Sequence, residues 1–472
     1  MTTRFHMNSL LSADPSAAYR WHARPGAFER LVPPWQSIRV LERSGQGVDE
    51  GVQITLRLDR GPFHLDWRAQ HGPAEPGRRF EDYQVSGPFK SWHHVHEFLP
   101  GGGPDEASCV LSDTIDYELH GGSAGDLLAG SIVEKDLERV FSYRHRTTRE
   151  DLEFHGRFRD RPRLRVAISG ASGLLGTALR AFLTTGGHEV LRLVRSDDEE
   201  LPEDAARWDP AAGVIDLERV EGLDAVIHLA GENIAEGRWS PRRKRAIAKS
   251  RIQGTEHLVD SLARLTEPPK AFLSASAVGF YGHRGAAELD EESAAGSGFL
   301  AEVCSDWEQT ASGAADFGAR VALLRFGVIL SPAAGALAKM LPPFRMGIGG
   351  VLGSGRQYVT WVSIDDAISA ILEVLYDPSL AGAVNITAPH PVSNRELTRT
   401  LGQVLNRPTV MPMPALAARA LFGEMADEML LASSRVLPSR LSTAGFPFRH
   451  PTLEEALCHL LGRPSAGELN DG

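Results

Sequence analysis

The 472-residue chain predicts an α/β protein: a doubly wound parallel sheet with a small, mainly helical C-terminal subdomain, preceded by a mostly β region. Three observations predict it. From Leu164 onward, short apolar runs alternate with amphipathic helical stretches, the rhythm of βαβ units. A glycine-rich segment, Gly170-Ala171-Ser172-Gly173-Leu174-Leu175-Gly176, stands where the first of these runs meets a helix. Before residue 155 the periodicity is instead two, broken by turn residues. A chain this long exceeds one hydrophobic core, and the pattern divides it into 1–155, a linker at 156–162, 163–384 and 385–472.

In the first region, alternation marks strands at Val52–Leu58, Trp92–Phe98 and Asp113–Leu119. Turns are expected at Pro73–Gly77 and Gly101–Pro104, and a helix from about Asp126 to Tyr143 closes the region. The charged, proline-containing stretch Gly156–Arg163 reads as a linker. Beyond it come a strand at Leu164–Ser169, a helix at Leu174–Thr185 and a strand at His188–Val194. Further buried strands are expected at Ala225–Leu229, Ala271–Ser274 and Val321–Leu324. From about Asn385 the chain turns helical and proline-rich, ending in an amphipathic helix at Leu453–Leu461.

The glycine segment has the strand-then-helix context that dinucleotide binding of Rossmann type requires. Gly170 permits the tight turn, Gly173 lets backbone approach a pyrophosphate, and Gly176 lets the helix pack close to the strand. Ser172, Leu174 and Leu175 complete the phosphate loop. The second strand ends in Leu193-Val194-Arg195-Ser196, where an NAD enzyme would place a carboxylate for the ribose hydroxyls. Arg195 instead offers a planar cation for a 2′-phosphate, with Ser196 beside it, which favours NADP(H) over NAD(H); the plain alternative is a solvated surface arginine.

These residues resemble the extended short-chain dehydrogenases. Gly170–Gly176 is similar to that group's fingerprint, and His228-Leu229-Ala230-Gly231 to its motif after the fourth strand. The resemblance implies that Leu229, Ala230, Gly231 and Glu232 wall the adenosine side. The runs Glu232–Trp239, Ser250–Thr255, Leu352–Gln357, Trp361–Asp366 and Gly445–Phe448 narrow it to an NAD-dependent epimerase/dehydratase-like subgroup of poorly defined function, over about residues 163–462.

In that superfamily a Ser or Thr orients the substrate oxygen, a Tyr transfers the proton, and a Lys four residues on depresses the tyrosine pKa. Ser274 and Ser276 match the serine position, Ser276 as a catalytic group and Ser274 on the cofactor side. Where Tyr-x-x-x-Lys should follow, the chain reads Phe299-Leu300-Ala301-Glu302-Val303-Cys304, so the usual dyad is absent. Tyr281 is the nearest tyrosine, either a proton-transfer group at the nicotinamide or a packed aromatic. Arg325 matches a nucleotide- or substrate-contacting position, with a structural ion pair as its alternative, and Ser363 replaces a histidine of related enzymes.

Residues 1–155 resemble the SRPBCC (START-like, polyketide cyclase/dehydrase-like) superfamily through Arg24–Phe28, Pro33-Pro34-Trp35 and Gly87–His96. The resemblance implies an α+β helix-grip fold that holds an apolar ligand. Trp92, His94 and His96 alternate onto one strand face, with His93 on the other. His94 and His96 have the spacing of a metal pair but no evident third ligand, so they read as cavity lining and no metal site is expected. His71 and His120 lie in turn-like segments and are expected to face solvent.

The composition, 42% hydrophobic and 24% charged, is that of a soluble globular protein. A net charge of −11 argues against nucleic acid as a partner, and no apolar run reaches membrane-spanning length. Three cysteines without metal-type spacing suit a reducing, cytoplasmic setting. The expected function is an NADP(H)-dependent oxidoreductase or epimerase-like enzyme acting on a small-molecule substrate. The missing dyad feeds the alternative, a redox-sensing NADP(H)-binding protein without turnover.

Overall fold

The computed structural model describes residues 2–464 except 62, 102–107, 196, 197 and 199. Most of the expected turn at Gly101–Pro104, and Ser196, therefore lie outside the described residues. The chain forms two compact units, built mainly on residues 1–162 and on residues 163–458.

The first unit is one antiparallel sheet of β1 (Thr3–Leu11), β2 (Ile38–Arg43), β3 (Gln53–Arg60), β4 (Phe63–Glu75), β5 (Arg79–Ser86), β6 (Ser91–Pro100) and β7 (Cys109–Glu118). Its strand order is β1-β7-β6-β5-β4-β3-β2. A short helix α1 (Pro15–Ala23) follows β1, capped by the Asp14 carboxylate, which accepts from Ala17 N at 2.8 Å. A long helix α2 (Gly122–Gly156) lays Leu137, Val140 and Phe141 against Phe5, Trp92, Ile115 and Tyr117 of the sheet. This is the helix-grip arrangement. The helix outruns its expected end at Tyr143 because apolar positions continue inward, with Leu152 and Phe154 both buried. Pro73 lies inside β4 rather than in a turn, and a register shift between His71 and Ala74 absorbs it as a bulge.

The second unit is built on β8 (Arg165–Ser169), α3 (Leu174–Thr185), β9 (Glu189–Val194), β10 (Ala205–Asp209), β11 (Val214–Ile215) and β12 (Ala225–His228). It continues through α4 (Pro241–Leu262), β13 (Ala271–Ala277), α5 (Phe299–Ser312), β14 (Arg320–Phe326), α6 (Ile364–Tyr376) and β15 (Gly382–Ile386). The sheet runs β11-β10-β9-β8-β12-β13-β14-β15, parallel throughout except for β11. Strand order reverses at β8, with β9 on one side and β12 on the other, which makes the carboxyl ends of β8 and β12 the topological switch point. Both faces are covered, so strand residues such as Val166, Ile168, Val226 and Phe272 are wholly buried. At the start of α6, Ser363 Oγ accepts from Asp366 N at 3.0 Å, and the buried Asp366 carboxylate accepts from the backbone N–H groups of Arg449 and His450 at 2.7 and 3.2 Å. No helix among the described residues is long and apolar enough to cross a membrane.

Behind the carboxyl ends of β13, β14 and β15 lies a buried polar network. The Arg325 guanidinium of β14 donates twice to Glu308 of α5, both bonds at 2.8 Å. Its third nitrogen donates to the Tyr281 hydroxyl at 2.9 Å, and its plane stacks 3.6 Å from the Phe280 ring centroid. Ser276 Oγ donates to the same Glu308 carboxylate at 2.6 Å, and the Tyr281 hydroxyl donates to Asn385 Oδ1 at 2.8 Å. Removing one partner of a buried pair leaves the other charge desolvated and uncompensated. Glu308→Ala should therefore destabilise the second unit by about 3–5 kcal/mol. Denaturant titration followed by tryptophan fluorescence should show that unit's transition at lower denaturant, with Glu308→Leu/Arg325→Met recovering most of the loss; an unchanged transition in Glu308→Ala would contradict this role.

Candidate functional site

Three loops leave the sheet at one level. Ser169 of β8 is in register with Leu193 of β9 and His228 of β12, so Gly170, Val194-Arg195 and Leu229 emerge side by side. Gly170 has φ +72°, and a Cβ there would sit 2.9 Å from Ala230 N. At Gly176 a Cβ would sit 2.2 Å from the Gly170 carbonyl oxygen, so only glycine lets α3 begin this close to β8. Above Gly173 a Cβ would meet nothing nearer than that carbonyl at 3.3 Å; Ser172 and Gly173 are exposed, while Leu174 and Leu175 are half-buried in the first turn of α3. An exposed turn opening a helix whose N–H groups point outward is an anion cradle.

A chain of hydrogen bonds holds the loop after β12 against it. Thr255 Oγ1 donates to Arg251 O at 2.5 Å, so it accepts His228 Nε2–H, 3.0 Å away. Burial drives the His228 imidazole down to a pKa of about 3, which keeps it neutral. Its Nδ1 then accepts from Ser169 Oγ at 2.6 Å, and Ser169 Oγ accepts in turn from Leu229 N at 3.1 Å and Ala230 N at 3.3 Å. Sequence reasoning missed Ser169 and Thr255, because a serine at a strand end and a threonine mid-helix carry no signal until the register is known. Gly231 lies over the Arg251 guanidinium, which donates to Glu232 O at 3.0 Å, while the Glu232 carboxylate is turned to Arg243 at 2.6 Å. Arg195 is exposed just past β9, and Ser196 is not among the described residues.

The four site residues expected deeper in the sheet, Ser274, Ser276, Tyr281 and Arg325, are all buried. Ser274 has no exposed surface, and its hydroxyl donates to Ala275 O at 3.2 Å. Ser276 is buried with its proton committed to Glu308. Tyr281 is completely buried, its hydroxyl is engaged by Arg325 and Asn385, and burial raises its pKa despite the arginine. The hydroxyl thus sits inside the buried network. Arg325 is likewise the structural ion-pair partner, since Glu308 and Tyr281 take its donors. At the vacant dyad position Phe299 stacks edge-on with Trp239 and lies 4.5 Å from Lys244 Nζ, and burial pushes the Cys304 thiol up to about 11.

In the first unit, β6 buries His94 and His96 on one face with Trp92, as alternation requires, and His93 stacks on Tyr83 on the other. His120 is exposed, but His71 is half-buried within β4 against Phe80, a correction that follows from the bulge at Pro73. The expectation that the histidine pair lacks a third ligand is also corrected. Asp82 of β5 is opposite His94, and its Oδ2 lies 3.2 Å from His94 Nδ1 and 3.8 Å from His96 Nε2. Asp113 of β7 is opposite His96 and also bonds His145 of α2 at 2.6 Å. Burial works to lower the His94 imidazole, but Asp82 and Asp113 outweigh it and raise the pKa to about 9. The buried His22 imidazole of α1, beside His96, falls instead to about 3. Asp82, Asp113 and His145 are separated in sequence from the His94-x-His96 pair; strand register brings in the two aspartates and the packing of α2 on the sheet brings in His145.

Comparison with known proteins agrees with this architecture. Residues 166–387 match the NAD dependent epimerase/dehydratase family, residues 11–144 match Polyketide cyclase / dehydrase and lipid transport, and residues 413–460 match a domain of unknown function. An epimerase family protein of Mycobacterium bovis is 46% identical over 302 residues, 63% of this chain and 98% of that protein. The human epimerase family protein SDR39U1 is 33% identical over 62% of this chain and 98% of its own length, and its crystal structure with NADPH superposes with a TM-score of 0.57 at 32% identity, covering 63% of this chain and 99% of that one. The crystal structure of a nucleoside-diphosphate sugar epimerase from Corynebacterium glutamicum covers 99% of this chain and 92% of its own, at 32% identity and a TM-score of 0.78. With its glycine turn at the switch point of a parallel sheet, the chain belongs to the NAD-dependent epimerase/dehydratase family, and it carries an N-terminal domain of the polyketide cyclase/dehydrase type.

Proposed function

We propose that residues 163–384 bind NADP(H) in preference to NAD(H) and use it in an oxidoreductase or epimerase-like reaction on a small molecule. In this reading residues 385–472 complete the substrate side, and residues 1–155 take an apolar ligand. The observation that carries it is Arg195, exposed at the end of β9 and level with the glycine turn, at the position where an NAD enzyme places a carboxylate for the ribose hydroxyls. The NADPH in the human relative's crystal structure supports the same preference. The Gly170–Gly176 turn and the first N–H groups of α3 would cradle the pyrophosphate, and Leu229–Gly231 would flank the adenosine. When bound, the cofactor supplies a hydride donor or acceptor. The name of the corynebacterial relative makes nucleoside-diphosphate sugars the first substrates to try.

A second reading, an NADP(H)-responsive binding protein without turnover, is favoured by two observations. Phe299 occupies the place of the proton-transferring tyrosine, and Ser276 and Tyr281 are sealed in the Glu308–Arg325 network. Neither reading uses Tyr281 as a base.

Calorimetry on the full chain should give tighter binding of NADPH than of NADH, and Arg195→Asp should cost NADPH about 1.5–3 kcal/mol, the range for a charge-assisted bond. Equal affinities for the two cofactors would overturn the assignment. Tyr281→Phe should leave NADPH affinity within about twofold and lower stability by about 1–2 kcal/mol, the cost of unpairing Asn385 and one Arg325 nitrogen. If NADPH consumption appears with any sugar nucleotide, aldehyde or ketone, it should persist in that variant. Silence of the wild type across the whole panel would select the second reading.

A further inference from the structure

We propose that Asp82, His94 and His96 form a binding site for one divalent transition metal of the zinc class within the N-terminal domain, with Asp113 holding both imidazoles from behind. The three candidate ligand atoms, Asp82 Oδ2, His94 Nδ1 and His96 Nε2, all lie within 4.8 Å of one another. Zinc bonds of about 2.0–2.2 Å in tetrahedral geometry place neighbouring ligand atoms about 3.3–3.6 Å apart. The observed separations from Asp82 Oδ2, 3.2 Å to His94 and 3.8 Å to His96, bracket that spacing.

Hydrogen bonding fixes which nitrogen of each ring faces Asp82. Each imidazole stands between two carboxylates. His94 Nε2 donates to Asp113 Oδ1 at 3.2 Å. His96 Nδ1 lies 2.5 Å from the same oxygen, off the axis of a linear bond but at a distance that demands an intervening proton. A neutral imidazole has a single N–H. With that proton spent on Asp113, His94 Nδ1 and His96 Nε2 face Asp82 Oδ2, and the His94–Asp82 contact is closed either by a second proton on His94 or by a cation among the three atoms. One proton on His94 Nδ1 meets Asp82 at 3.2 Å but leaves His96 Nε2 3.8 Å away, beyond hydrogen-bond reach. One divalent cation satisfies all three donors at once.

The surroundings match those of metal centres. Ligating histidines characteristically donate their other N–H to a carboxylate, which fixes the ring and raises its basicity. Asp113 occupies that position for both rings, and His145, held by Ser9 Oγ at 2.9 Å, bonds its second oxygen at 2.6 Å. Other charge within reach is Arg144, which acts on both carboxylates, so once both imidazoles are neutral, as metal ligands must be, the cluster carries a net negative charge. His22 and His71 pack nearby, His22 at 6.1 Å from the His96 ring and His71 on the far side of Phe80. The Asp82 side chain is 19% exposed, which leaves an entry path, whereas His94 and Asp113 are each 3% exposed. Three protein ligands leave a fourth position open to water, the pattern of catalytic rather than structural zinc.

The test uses the full chain without an affinity tag, stripped with a chelator. Titration with Co2+ should develop visible ligand-field bands that saturate at one equivalent and are abolished by one equivalent of Zn2+, while Mg2+ leaves them untouched. Asp82→Asn and His96→Gln should abolish the bands with unchanged circular dichroism. Asp113→Asn should weaken Zn2+ binding by about 10–100-fold in competition with a chromophoric chelator. X-ray absorption of the zinc-loaded wild type should show two imidazoles with oxygen ligands, a readout that needs no variant to fold. Failure of the wild type to take up Co2+ or Zn2+, undiminished uptake in Asp82→Asn and His96→Gln, or a zinc environment without imidazole would each overturn the proposal.

Discussion

The bidentate pair between Arg325 and Glu308 is buried, its side chains only 6% and 8% exposed, and much of the second unit is organised to make that tolerable. Two opposite charges taken out of solvent must have every remaining donor and acceptor met. Ser276 supplies a proton to Glu308, Tyr281 an acceptor to Arg325, and Asn385 an acceptor to Tyr281. Those residues belong to β13, the turn after it, α5, β14 and β15. The network therefore fixes α5 on the sheet behind the carboxyl edge where the three loops emerge. The face of Phe280 covers the guanidinium and completes the enclosure.

The same demand draws in Ser276 and Tyr281, whose positions also suggest chemistry. A hydroxyl beside a buried carboxylate is worth more as a hydrogen bond than as a reagent when no solvent or ligand can reach it. The glycine loop after β8 uses a parallel device. Its shape is set by a neutral histidine that relays Thr255 to Ser169, and Ser169 orders two backbone amides next to Gly170. In both places a buried polar chain does what apolar packing alone does poorly, because it specifies direction as well as contact.

What was legible in the sequence follows from how local the signal is. Gly170–Gly176, the strand before it and the helix after it are written in consecutive residues, and α3 and the helix at Leu453–Leu461 have the bounds their apolar periodicity indicates. The alternation of Trp92, His94 and His96 was equally readable, because a strand turns every second side chain inward. Asp82 and Asp113 were not readable, since each meets the histidines only through the β5–β6 and β6–β7 registers. Arg325 and Tyr281 were ambiguous for a related reason: a polar residue at a strand end points either to a ligand or to a partner on another strand, and Glu308 is 17 residues away. Pro73 misled because a bulge lets a strand pass through a residue that usually ends one.

The way Asp366 is satisfied bears on how the polypeptide comes into being. Its carboxylate, buried at the start of α6, depends on backbone amides some eighty residues farther along, at Arg449 and His450. During synthesis at roughly 5–20 residues per second, α6 leaves the ribosome several seconds before those amides exist. Until then the carboxylate stays hydrated, and the helix that carries it is held off its final seat. The parallel sheet thus gains this part of its final packing only after the ribosome has delivered the distal segment.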